Sequence, residues 1–148
     1  MTTAEELVIR KSVDVPLPVE AAFAFFTARA GEWWPLGTHS TYGDEAEDVV
    51  FEPRQGGRFF ERSRAGEEDE WGRVLVYDPP HRFVVQWLVD PRCTGELELR
   101  FRAEAGGTRV ELEHRGWELY GDGAEQAMTA YGAGWEVVLA RYRDAAGR

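Results

Sequence analysis

The 148 residues carry 27 acidic against 17 basic side chains, a formal net charge of -10, which opposes binding to a phosphate backbone or an anionic membrane, since both depend on Lys and Arg neutralising charge. A chain of this length can bury roughly 70% of the surface its unfolded form exposes, so it reads as one domain, residues 1–148, that needs no disulfide. Its single cysteine, Cys93, has no second Cys or close His beside it, and the N-terminal "MTTAEELVIRKSVDV" reads as neither an export signal nor a membrane span, which together point to a reducing, cytoplasmic setting.

Residues 7–15 alternate as a strand, with Leu7, Ile9, Val13 and Val15 on one side and Arg10, Ser12 and Asp14 opposite; Lys11 interrupts the apolar side. "PLPVEAAFAFFT" then switches to helical spacing, with proline at its start, Glu20 in the first turn and an i, i+4, i+7 stripe of Val19, Phe23 and Phe26. Residues 28–36 add a further helical turn or two that Pro35 ends. This segment contains "GEWWPLG", and adjacent side chains diverge by about 100° on a helix and about 180° on a strand, so Trp33 and Trp34 cannot enter one core together. One indole is expected to seal sheet against helix and the other either to face the cavity entrance or a partner or to lie against the "THSTYGDE" loop as a surface clamp; periodicity does not say which is which.

After a polar loop over 37–48 that includes His39, the period stays near two, with strands expected near 49–53, 57–64, 70–77, 83–89, 94–104 and 108–115. The breaks "RQGG", "AGEED", "DPPH", "DPRC" and "AGG" have turn chemistry, and hairpins in succession imply an antiparallel sheet. Leu97, Leu99, Phe101 and Ala103 alternate with charged residues, as do Val110 and Leu112, so one face is wet and the other covered. The cover is a long amphipathic C-terminal helix carrying Ala124, Met128, Tyr131, Trp135, Val138 and Tyr142. The whole reads as an α+β fold, a curved antiparallel sheet of about seven strands wrapped around one long helix, with space between the two.

Six Trp, five Tyr and eight Phe exceed what plain packing requires and predict a cavity lined by large faces. Trp87 shares a face with Phe83, Val85 and Val89; Tyr131 and Trp135 face the sheet; and either Trp71 or Arg73 approaches from the preceding strand, where the alternation is too irregular to choose. His114 falls on the face of Val110 and Leu112, either as a core histidine bonded to backbone or as a ligand or acid–base group near neutral pH. His39, His81 and the acidic "GEEDE" have no metal-ligand spacing, no serine sits in a nucleophile elbow, and "RQGGRFFERSR" reads as a solvated strand face or else as the one place a local basic patch could form. No catalytic residue, metal or cofactor is assigned.

The motifs "GGRFFER", "WGRVLVYDPPHRFVVQW", "TRVELEHRGW" and "GWEVVLARY", in this order and spacing, resemble the polyketide-cyclase-like superfamily with the START and pollen-allergen helix-grip fold (SRPBCC). Within it the chain is similar to the bacterial single-domain branch related to the C-terminal domain of the activator of heat-shock protein 90 ATPase. The resemblance covers about residues 7–143 and implies a seven-stranded curved sheet, two short helices after the first strand and a long C-terminal helix over a cavity. About activity it implies only that such chains bind hydrophobic ligands, act as aromatase or cyclase domains on polyketides or, in the co-chaperone branch, contact a partner ATPase. With the residues above, three readings follow: binding of a small hydrophobic or aromatic molecule, a co-chaperone-like stress-response module acting on a partner ATPase, or a cyclase- or hydrolase-type enzyme using His114 with Arg73 or Tyr131. Ligand binding is the leading expectation, with Trp33, Trp34, Trp71, Arg73, Trp87, His114, Tyr131 and Trp135 as cavity candidates in a monomer or homodimer that contacts neither nucleic acid nor membrane.

Overall fold

Alternating polarity sets the first strand, β1 (Ile9–Val15), in which Ile9 and Val15 are buried while Arg10, Ser12 and Asp14 face water. The computed structural model describes residues 7–92 and 94–147, so Cys93 and its expected chemistry lie outside the described residues. After β1 come helix α1 (Val19–Thr27), a 3-10 turn at Ala30–Glu32 where the further helical segment was expected, and a second at Gly43–Glu45. The strands β2 (Ala46–Phe51), β3 (Arg58–Ser63), β4 (Glu68–Asp78), β5 (Arg82–Trp87), β6 (Glu96–Glu104) and β7 (Gly107–His114) follow, then a 3-10 turn at Trp117–Leu119 and helix α2 (Ala124–Ala146). They form one seven-stranded sheet in the order β1-β7-β6-β5-β4-β3-β2, with every neighbouring pair antiparallel. The curled sheet grips α2, as the helix-grip resemblance implies. Among the described residues no helix is long and apolar enough to cross a membrane.

Lys11, the interruption in β1, lies opposite Leu112 on the inner face of this edge strand. Its stem runs past Gly132 of α2, where an added Cβ would stand 3.6 Å from Cε, and its Nζ reaches Glu136 Oε1 at 2.6 Å. A long cationic side chain can cover apolar surface with its methylenes while its head stays wet, and a charge here discourages a further strand from adding to the edge.

The irregular stretch around Trp71 is a β-bulge. Phe59 pairs with Gly72 but Phe60 pairs with Glu70, which leaves Trp71 as an extra residue in β4. An inserted residue re-aims its side chain; here both Trp71 and Gly72 are buried while Arg73 is exposed. A second register shift lies between Val74 and Val76.

The core beside α1 is built of phenyl rings. Phe26 stands 4.9 Å from Tyr142 and 5.8 Å from Phe83, and Phe23 stands 5.1 Å from Phe101, in tilted or edge-to-face geometry. Trp33 joins this group at 5.1 Å from Tyr142 and donates its Nε1–H to Phe25 O at 3.0 Å; Tyr142 donates to Ala22 O at 2.7 Å. Gly31 permits the close approach of this segment to β2, because a Cβ there would fall 1.8 Å from Asp48 Oδ1.

The sheet's outer face is held by charge. Glu98 is buried among Arg82, Arg100 and Arg115, with N–O distances of 3.0, 2.8 and 2.8 Å. Burial alone would raise its pKa, but the hydrogen bonds from the three guanidiniums hold it below the usual carboxyl range. Three of the four "RQGGRFFERSR" arginines are likewise partnered, Arg54 and Arg58 with Glu52 and Arg58 and Arg62 with Glu68, so most of the positive charge of this stretch is compensated.

Candidate ligand cavity

Beyond the phenyl cluster, sheet and α2 flank a partly open cavity of about 290 Å³ lined by Trp34, Trp71, Trp87 and Trp135, by Tyr131, Gly134 and Val138, by Val89, and by the loop residues Thr38, His39, Ser40 and Thr41. Tyr131, Gly134, Trp135 and Val138 follow the i, i+3, i+4, i+7 spacing of one helix face. Trp87 ends β5 on its inward face, and Trp71 reaches the cavity through the bulge.

The four indoles are fixed by their own N–H groups. Trp34 donates to His39 O at 2.8 Å, Trp71 to Glu61 Oε1 at 2.8 Å, Trp135 to His114 Nδ1 at 3.1 Å and Trp87 to the Tyr131 hydroxyl at 3.4 Å. The rings also brace one another: Trp34 lies 5.0 Å from Trp71 and 6.2 Å from Trp135, and Trp87 lies 5.3 Å from Trp135. With their polar atoms engaged by the protein, the indoles offer the cavity aromatic carbon surface.

The loop over the cavity is held by Glu61, whose side chain is fully buried on the inner side of β3. Its oxygens accept from Thr41 N at 2.5 Å, Tyr42 N at 3.1 Å and Trp71 Nε1 at 2.8 Å. A buried carboxyl group satisfied by several N–H donors is a strong anchor, and this one ties loop, bulge and cavity wall together. Thr41 Oγ1 donates to Asp69 Oδ2 at 2.5 Å, and Ser40 Oγ donates to Leu36 O while accepting from Gly43 N.

Five of the eight residues expected at the cavity, Trp34, Trp71, Trp87, Tyr131 and Trp135, line it together. Trp33 does not; it is the wedge between α1 and α2, which leaves Trp34 as the cavity indole of the pair. Arg73 is corrected to the outer face, where its guanidinium pairs with Glu70 at 2.9 Å, because the bulge gives the inward position to Trp71. His114 is fully buried behind the wall, packed against Trp117 at 4.8 Å and Tyr131 at 5.5 Å. Burial and the charge of Arg115 push its pKa down to about 3. Since the indole of Trp135 can only donate, Nδ1 of this neutral ring accepts and Nε2 carries the proton. A histidine held in this way is a structural acceptor and not an acid–base group at neutral pH.

Sequence reasoning missed the loop residues Thr38 to Thr41 and Gly134. Loop chemistry has no period, so only Glu61, a carboxyl group alternating with Phe59 and Ser63 on an inward face, hinted that something polar closes over this end.

Residues 16–146 match the family described as activator of Hsp90 ATPase homolog 1-like protein. No protein of curated function matches the sequence. Among solved structures, an anthrahydroquino-gamma-pyrone synthase, Txn09, complexed with SUM, is 34% identical, with 93% of this chain and 95% of that one covered and a TM-score of 0.62. CalU16 from Micromonospora echinospora is 25% identical, with 92% and 70% covered and a TM-score of 0.61. The Aha1 dimer from Colwellia psychrerythraea shares the fold at 17% identity, with 93% and 94% covered and a TM-score of 0.68.

Proposed function

Because the chain belongs to the activator of Hsp90 ATPase homolog 1-like family, with a hollow left between the sheet and its long helix, we propose that it binds a compact aromatic molecule in that hollow. The observation that carries this reading is the set of four cavity tryptophans, each with its N–H engaged by the protein and its ring turned to the space. A preformed apolar pocket with a few polar groups at one side is the usual form of a small-molecule site, and about 290 Å³ lies at the lower end of the roughly 300–1,000 Å³ such sites span. That size suits a few fused rings. The name of the 34% identical synthase, a fused oxygenated aromatic, supports the same ligand class.

The test is a titration with naphthalene, followed through the indole N–H resonances of the 15N-labelled protein. Shifts concentrated on Trp34, Trp87 and Trp135, and lost in Gly134→Leu, are expected. Leucine would fill the cavity from α2 while favouring helix over glycine by up to about 1 kcal/mol, and a dispersed 15N spectrum of the variant separates loss of binding from loss of fold. The absence of any shift, or binding undiminished in Gly134→Leu, would overturn the reading.

A second reading, cyclase-type turnover in the same cavity, is favoured by the 34% identity to a synthase over nearly the whole chain. If it holds, the reacting groups belong to the loop and Tyr131 and not to the neutral His114. The co-chaperone-like reading rests on the family's name.

A further inference from the structure

We infer that His39 is the residue by which the cavity recognises an oxygen substituent on the edge of its aromatic ligand; this rests on the cavity reading above and adds the chemistry of the bound group. The polar side chains of the lining differ in what they have left to offer. Ser40 and Thr41 spend their hydroxyl protons on Leu36 O and Asp69 Oδ2, and the Tyr131 hydroxyl accepts from Trp87. Thr38 Oγ1 stands 2.7 Å from His39 Nδ1 but 3.5 Å from Pro35 O, the alternative acceptor. The shorter contact is by far the better hydrogen bond, so Thr38 engages Nδ1, and Nε2 is the ring nitrogen left to meet a ligand. Nε2 makes no hydrogen bond among the described residues.

The geometry turns this nitrogen toward α2 and the cavity. The Cδ2–Nε2 edge of the ring faces Gly134 of α2, at 3.6 and 3.9 Å from where a Cβ would be, and both residues line the cavity. The missing side chain at 134 leaves the edge open to the space. The His39 backbone is fixed as well, since its carbonyl accepts the Trp34 indole N–H at 2.8 Å. A backbone-anchored imidazole whose Nε2 donates in one tautomer and accepts in the other, at the border of an aromatic box, is complementary to a phenolic hydroxyl projecting from a flat ring system. A hydrocarbon of the same shape would leave Nε2 without that partner.

The experiment compares 1-naphthol with naphthalene by indole N–H shift titration in the wild type, His39→Ala and His39→Gln. The wild type is expected to prefer 1-naphthol about tenfold, the size of one hydrogen bond of about 1.4 kcal/mol. That preference is expected to fall to near unity in His39→Ala and to return in part in His39→Gln, whose amide retains a donor. Equal binding of the two probes by the wild type, or an unchanged preference in His39→Ala, would overturn the inference while leaving the cavity reading intact. Failure of both probes to bind the wild type would overturn both.

Discussion

Trp33 and Trp34 are neighbours in sequence and stand on opposite sides of a division within the same sheet–helix interface. Trp33 belongs to the end beside α1, where Phe23, Phe26, Phe83, Phe101 and Tyr142 interlock at centroid distances of 4.9–6.2 Å. Trp34 belongs to the other end, where indoles of similar burial surround about 290 Å³ of space. Both ends are aromatic; they differ in how far hydrogen bonds fix the rings. At the α1 end Tyr142 and Trp33 bond to α1 backbone, but the four phenyl rings have no polar atom and hold position by filling volume, so that end is solid. Indoles can be held by an N–H bond to a neighbour, and rings held in that way need not touch across the middle. The aromatic excess therefore has two jobs, packing and lining, divided at one peptide bond.

The sharpest break between the two ends is a truncation in the solid one. Phe83→Ala removes a ring with no exposure from the phenyl cluster and is expected to cost about 3–5 kcal/mol in urea denaturation. A much smaller loss would mean that this end is not filled as described.

A pH titration tests the other end. The folded pKa of His114 lies near 3 against 6.5 for the free side chain, so as pH falls below 6.5 the unfolded chain takes the proton first. Stability should then decline with falling pH across the window from about 6.5 to about 3, by up to roughly 1.4 kcal/mol per pH unit, or about 1.6 kcal/mol between pH 6.5 and 5. His114→Gln is expected to flatten that slope, and an equal slope in the variant would remove the neutral buried imidazole from the account. The smallest effect is expected at the loop. Glu61→Gln keeps one accepting oxygen for donors that now share two, and should cost about 1 kcal/mol while speeding amide exchange at Thr41 and Tyr42. No change in exchange there would show that the loop is held by other contacts.

Much of this arrangement was legible in the chain. Alternation gave six strands between residues 46 and 114 to within a few positions, and a helical stripe of Tyr131, Trp135, Val138 and Tyr142 placed the long helix over the sheet. It was less informative where the period breaks. The bulge at Trp71 erased the alternation that would have separated Trp71 from Arg73, and the loop carrying His39 has no period at all. His114 was correctly placed on the inner face, but a face does not distinguish a cavity wall from the layer behind it.

The order of elements, the polarity of each face and the abundance of large rings are local properties, and the sequence by itself determined them through side-chain period, turn chemistry and charge. Only the tertiary structure decided which rings fill space and which enclose it, because that depends on where partners far apart in the chain meet. Trp71 finds Glu61 across a bulged hairpin, Trp135 finds His114 from helix to sheet, and Gly134 leaves open the space that His39 borders from a loop some ninety-five positions earlier. A cavity is an absence between such meetings, and no single segment encodes it.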